Sequence, residues 1–249
     1  MSGDALRDLV LSGVQWELSE TTTVLPPKAP TVAQESSATP ASYSQNTIVP
    51  PIAPVQTMSL DTVRSMAMRP TDIESLNRMI VEFNHPLKSA ATNTVLPHAG
   101  QGKMLILTDM PSSDDDETGV VLSGASGELM DKMLAAIGLS RKDVSVVPML
   151  FWRTPGGRSP SAQELELARP FVDRAIELIA PRVILSLGTL PALEYAQVNL
   201  AKSHGAPVEM ENGAVFVPIF HPNYLILKPA AKRDVWTALQ NVQNILKNA

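Results

Sequence analysis

Ala214-Val215-Phe216-Val217-Pro218-Ile219-Phe220-His221-Pro222-Asn223-Tyr224-Leu225 is the stretch whose reading decides the fold. A short apolar run, the length of one buried strand, leads straight into a histidine. Open α/β sheets gather their ligands at the carboxyl ends of strands, so His221 stands where a ligand loop belongs. Pro222 and Asn223 favour a tight turn behind it, with Tyr224 and Leu225 at the loop tip. His221 is read either as a ligand-loop histidine or as a plain turn histidine.

Upstream, the same grammar repeats. Residues 104–107, 144–149 and 183–187 are short apolar runs that read as strands, and 214–219 is the fourth. Between them lie helical segments at 124–137, 161–179 and 190–196, with a closing helix at 231–246. Gly138 closes the first as a C-terminal cap, and Pro160 precedes the second, whose first turn is acidic. Strands alternating with helices predict an α/β fold of three layers, α/β/α, around a central, mostly parallel four-stranded sheet. Asp109-Met110-Pro111 also follows a strand, so one acidic and one histidine loop define a candidate active site.

Composition narrows the chemistry. The chain has 249 residues, 44 % hydrophobic, enough for one core and an extension. It has no cysteine, which rules out disulfides, thiolate catalysis and cysteine-held metal clusters within it. His85, His98, His204 and His221 show no tight ligand spacing, so no metal site is expected. No apolar run suggests a membrane span and the start does not look like a signal peptide, so a soluble, cytoplasmic monomer is expected. A net charge of −5 argues against a nonspecific nucleic-acid binder. It leaves room for a local basic rim formed by Arg153, Arg158, Lys228, Lys232 and Arg233.

Three regions follow. Residues 1–20 suit a short amphipathic helix through Leu6, Leu9, Val10, Val14 and Leu18. Residues 21–60, rich in Pro, Ser and Thr, read as a disordered linker. Residues 61–249 form the domain, opening with a helical period through Val63, Met66, Ile73, Leu76, Ile80 and Phe83. The N-terminal helix suits tethering to a protein partner. Asp114-Asp115-Asp116-Glu117 reads as a solvated acidic loop, because packed like charges repel.

Several motifs in order carry a resemblance. Thr108-Asp109-Met110-Pro111-Ser112 with its acidic tail, the helix Gly124-Ala125-Ser126-Gly127-Glu128-Leu129, the stretch Trp152-Arg153-Thr154-Pro155-Gly156-Gly157-Arg158 and the His221 segment resemble motifs of the uracil-DNA glycosylase superfamily. The chain looks most like its bacterial iron–sulfur class (family 4), over residues 83–246. The resemblance implies a DNA glycosylase of base excision repair that hydrolyses the N-glycosidic bond of uracil, or another damaged base, in DNA. It implies catalysis by Asp109 and His221 and a base pocket at Thr108, Met110, Leu122 and Pro148. DNA contacts would come from Pro155, Gly156, Arg158, Tyr224, Leu225 and Lys228, with Tyr224 and Leu225 as wedges.

The departures are as specific. Leu122 stands where the family stacks an aromatic on uracil, and Pro148 where an asparagine reads the base. Thr108 and Ser112 replace glycines, and Asp109 is one methylene shorter than the family's glutamate. The alignable cluster positions are His85, Trp152 and Ala168, so no cofactor is expected. Two readings stay open: an active glycosylase, or an inactive relative that binds DNA or protein.

Overall fold

The computed structural model describes residues 59–248. The helix expected over 1–20 and the linker up to residue 58 lie outside the described residues. The helical period expected from residue 61 is two helices, α1 (Leu60–Ala67) and α2 (Ile73–Glu82). Pro70 interrupts them, since a proline cannot supply a mid-helix amide. Asp72 then caps α2, accepting from the Ser75 amide at 2.7 Å.

The four expected strands form at β1 (Met104–Thr108), β2 (Val144–Pro148), β3 (Val183–Leu187) and, last in the chain, β5 (Val215–Ile219). They pair in parallel in the order β2-β1-β3-β5. A fifth strand, β4 (Val208–Glu209), runs antiparallel along β5 and corrects the expected count of four. Two residues with a single apolar side chain leave no periodicity to read. Gly213, at φ 80, makes the turn that folds β4 back onto β5.

Both faces of the sheet are covered, so the strands read as continuous apolar runs. Alternation sends Leu105, Leu107, Val147, Ile184 and Phe216 to one core with α1, α2 and α5 (Ala162–Ile179). It sends Ile106, Val146, Leu185, Val217 and Ile219 to the other, with α4 (Gly124–Ala136) and α9 (Lys232–Asn248). The free edge of β2 is covered by the segment around His98, which pairs with Val146 in both directions at 2.8 Å. Gly100 must be glycine there, because a Cβ would lie 2.3 Å from the Val144 carbonyl oxygen.

Two expectations about loops are corrected. The acidic run is a short helix, α3 (Ser113–Thr118), with Ser112 as its cap. Asp115 is buried: its carboxylate accepts from the Ser112 amide at 3.0 Å, the Ser123 amide at 2.6 Å and the Ser123 hydroxyl at 2.8 Å. Those bonds offset the cost of burying the charge and tie α3 to the start of α4. Past His221 the chain forms helix α8 (Pro222–Leu227) instead of a loop tip, because proline is well placed in a first helical turn. The remaining short helices are α6 (Thr189–Ala196) and α7 (Leu200–Ser203). Among the described residues no helix is long and apolar enough to cross a membrane.

Candidate active site at the carboxyl ends of the strands

Thr108 is the last residue of β1, and His221 stands two residues beyond the end of β5. Counting by two from Ile106 and from Ile219 puts both on the α4 and α9 face. One strand, β3, separates them, a backbone gap of roughly 10 Å. Their side chains close it: Thr108 Oγ1 lies 3.2 Å from His221 Nε2. His221 caps α8, its Nδ1 accepting from the Asn223 amide at 3.2 Å. With Nδ1 an acceptor, the neutral ring carries its proton on Nε2 and donates it to Thr108. Burial pushes the His221 pKa down to about 4, against the opposing charge of Asp115, so the ring is neutral at pH 7.

Asp109 follows Thr108 and turns its carboxyl onto Gly188, where a Cβ would lie 2.3 Å from Oδ2. Its Oδ1 is buried without a hydrogen-bond partner among the described residues. Burial raises its pKa to about 7, and the Leu190 backbone at the start of α6 opposes that shift. A poorly solvated carboxyl and a neutral imidazole proton donor thus occupy two strand ends of the same sheet edge, with β3 between them. Pro148 lies opposite Thr108 in the β1–β2 register and is buried, with no side-chain hydrogen bond to offer.

The other expected site residues divide. Met110 is half-buried, with Sδ 3.3 Å from the hydroxyl of Thr154 in the next loop. Leu122, at φ 53, is a core residue of the α4 face, and its carbonyl is held by Arg141. Pro155 and Gly156 are exposed, and Gly156 takes the left-handed φ of 64. Arg158 does not face solvent as a free cation. Nη1 donates to Glu164 Oε2 at 2.9 Å and Nη2 to Oε1 at 2.5 Å, a bidentate pair. Leu225 is 1 % exposed and belongs to the core, which corrects its place as a wedge. Helical spacing aligns it with buried Pro222 and turns Tyr224 (44 %), Ile226 (45 %) and Leu227 (76 %) outward beside exposed Lys228.

Sequence reasoning missed Asp115 and the aromatic support behind the site. The Ser112-x-x-Asp115 spacing was a capping-box signal that the acidic run obscured. Phe220 stacks at 4.8 Å on Tyr224 and at 4.3 Å on His204, so the exposed tyrosine rests on a fixed base.

The three positions matched to cluster ligands do meet, but as a packed core. His85 stacks on Trp152 at 4.7 Å and 13°, and Ala168 is fully buried in the same core. His85 Nε2 donates to the Glu164 carbonyl at 3.0 Å, its Nδ1 accepts from the Leu87 amide at 3.1 Å, and Trp152 Nε1 donates to Thr94 Oγ1 at 3.0 Å. Every ring nitrogen is engaged and no thiolate is present, so these residues do not fit an iron–sulfur cluster.

A family model described as the uracil DNA glycosylase superfamily matches residues 98–241. The type-4 uracil-DNA glycosylase of Archaeoglobus fulgidus is 31 % identical over 65 % of this chain and 88 % of its own length. That of Thermotoga maritima is 31 % identical over 57 % of this chain and 76 % of its own. That of Pyrobaculum aerophilum is 27 % identical over 66 % and 89 %.

Proposed function

Because the chain belongs to the uracil-DNA glycosylase superfamily, we propose that it hydrolyses the N-glycosidic bond of uracil, or of another damaged base, in DNA. The observation that carries this reading is a neutral, tautomer-fixed His221 and a desolvated Asp109 carboxyl, both at the carboxyl ends of strands of one sheet. A base must leave the stack to reach residues at these strand ends. When the bond between sugar carbon and base nitrogen breaks, the electron pair leaves with the base. Charge develops on a base carbonyl oxygen, where the proton donor held by His221 stabilises it. The sugar becomes cation-like, and ionised Asp109 stabilises it and takes a proton from the incoming water. Water delivers hydroxyl to the sugar and, in net terms, a proton to the base.

Exposed Tyr224 and Leu227 enter the space the base vacates, and Lys228 meets phosphate. A single-turnover assay on uracil-containing single- and double-stranded oligonucleotides tests the reading. Excision by the wild type, lost in Asp109→Asn and His221→Ala, is the expected result. A second reading, a binding domain without catalysis, draws on Pro148 and on the Arg158 guanidinium already occupied by Glu164. Tight DNA binding without excision at enzyme excess would favour it.

A further inference from the structure

We propose that Thr108 is itself a catalytic residue: its hydroxyl passes the hydrogen bond of His221 on to the carbonyl oxygen of the departing base. This rests on the excision reading and adds a residue to it. The two side chains are already 3.2 Å apart. His221 can only donate in this bond, because its Nδ1 is engaged as an acceptor by the Asn223 amide at 3.2 Å. Thr108 Oγ1 is therefore the acceptor, and its own proton is unspent. Thr108 Oγ1 has no other side-chain or backbone partner among the described residues. Thr108 is 4 % exposed, and a buried hydroxyl with an unused proton is costly unless a partner arrives.

Position favours the same role. Thr108 ends β1, next in the chain to Asp109 and opposite Pro148 across the β1–β2 register. Its hydroxyl is thus held at the strand ends, in reach of the imidazole. A chain of hydrogen bonds polarises each member, so a hydroxyl that accepts from a neutral imidazole is a better donor than an isolated one. As the glycosidic bond breaks, the Thr108 proton stays on oxygen and its hydrogen bond to the base oxygen shortens. No proton changes owner in the relay, and the electron pair of the broken bond ends on the base. His221 then acts through Thr108, because its one N–H is spent on the Thr108 hydroxyl.

The test uses the full chain with Thr108→Val, Thr108→Ser and Thr108→Ala, single-turnover excision on a uracil oligonucleotide, and Kd for a fluorinated, cleavage-resistant uracil oligonucleotide. Valine keeps the shape and removes the hydroxyl. Thr108→Val should slow excision by about 100-fold at unchanged Kd, as expected for a lost transition-state donor. Thr108→Ser should stay within about threefold of the wild type. Melting curves report folding, and Thr108→Ala serves as the hydroxyl-free variant if valine disturbs the strand end. A hydroxyl-free variant that excises within about threefold of wild type, or one that loses Kd and rate together, overturns the role of Thr108 and leaves the excision reading standing. A wild type that excises nothing overturns both at once.

Discussion

The carboxylate of Asp109 occupies the space that a side chain on Gly188 would fill, with Oδ2 2.3 Å from the position of the missing Cβ. Gly188 also takes φ 92, which other residues rarely adopt. Gly188→Ala should therefore displace Asp109 and strain the turn into α6. We expect loss of excision by about 100-fold or more, since an error of about an ångström at a reacting group is that costly. The check is single-turnover kinetics beside a urea melt.

The raised pKa of Asp109, about 7, gives a sign for pH. Excision that needs the ionised carboxylate should climb as pH rises through about 7 and level off above it. Asp109→Asn should flatten that limb. Stability runs the other way: a carboxyl whose folded pKa lies above its unfolded value costs stability as pH rises between the two. Asp109→Asn should thus be more stable than wild type at pH 8, with the gap closing as pH falls towards 4. Thermal melts across that range test it.

Leu225 and Leu227 separate fold from contact. Leu225→Ala should destabilise the domain by about 2–5 kcal/mol, the range for a buried leucine. Leu227→Ala should leave the melting temperature unchanged and weaken duplex binding. Paired denaturation and DNA titrations distinguish them, and the reverse pattern would remove Leu227 from the interface.

Glu164 is held down to a pKa of about 2, chiefly by the Arg158 guanidinium. A carboxylate with a depressed folded pKa stabilises above its unfolded pKa, and that contribution fades as pH falls from about 4.5 towards 2. Arg158→Ala should lower stability, but by less than breaking a fully buried pair would, because Arg158 is half exposed. It should leave the salt dependence of DNA binding unchanged, since a cation already neutralised by Glu164 releases no counterion. A fall of about one in the salt slope would restore Arg158 as a phosphate contact.

Much of this architecture is legible in the chain. The run 183–187 coincides with β3, because a strand buried on both faces must be continuously apolar. Pro160 and the acidic first turn announce α5, and the structure adds a capping box between Ser161 and Glu164. The strand-end position of Asp109 and His221 follows from element order alone. What escaped depends on partners far along the sequence. Nothing near Thr108 shows that its hydroxyl meets an imidazole more than a hundred residues away. Six residues after His221 are too few for a helical period, so Leu225 looked exposed until α8 turned it inward. Asp115 looked solvated among its neighbours, although the amides of Ser112 and Ser123 surround it.

The stack of His85 on Trp152 changes what this domain asks of the cell. Its rings are part of the polypeptide itself, so the core at these positions closes without delivered iron. Oxidants that would strip a cluster find buried His85, Trp152 and Ala168 at these positions instead. Loss of a cluster from these positions is therefore not a route by which this core comes apart.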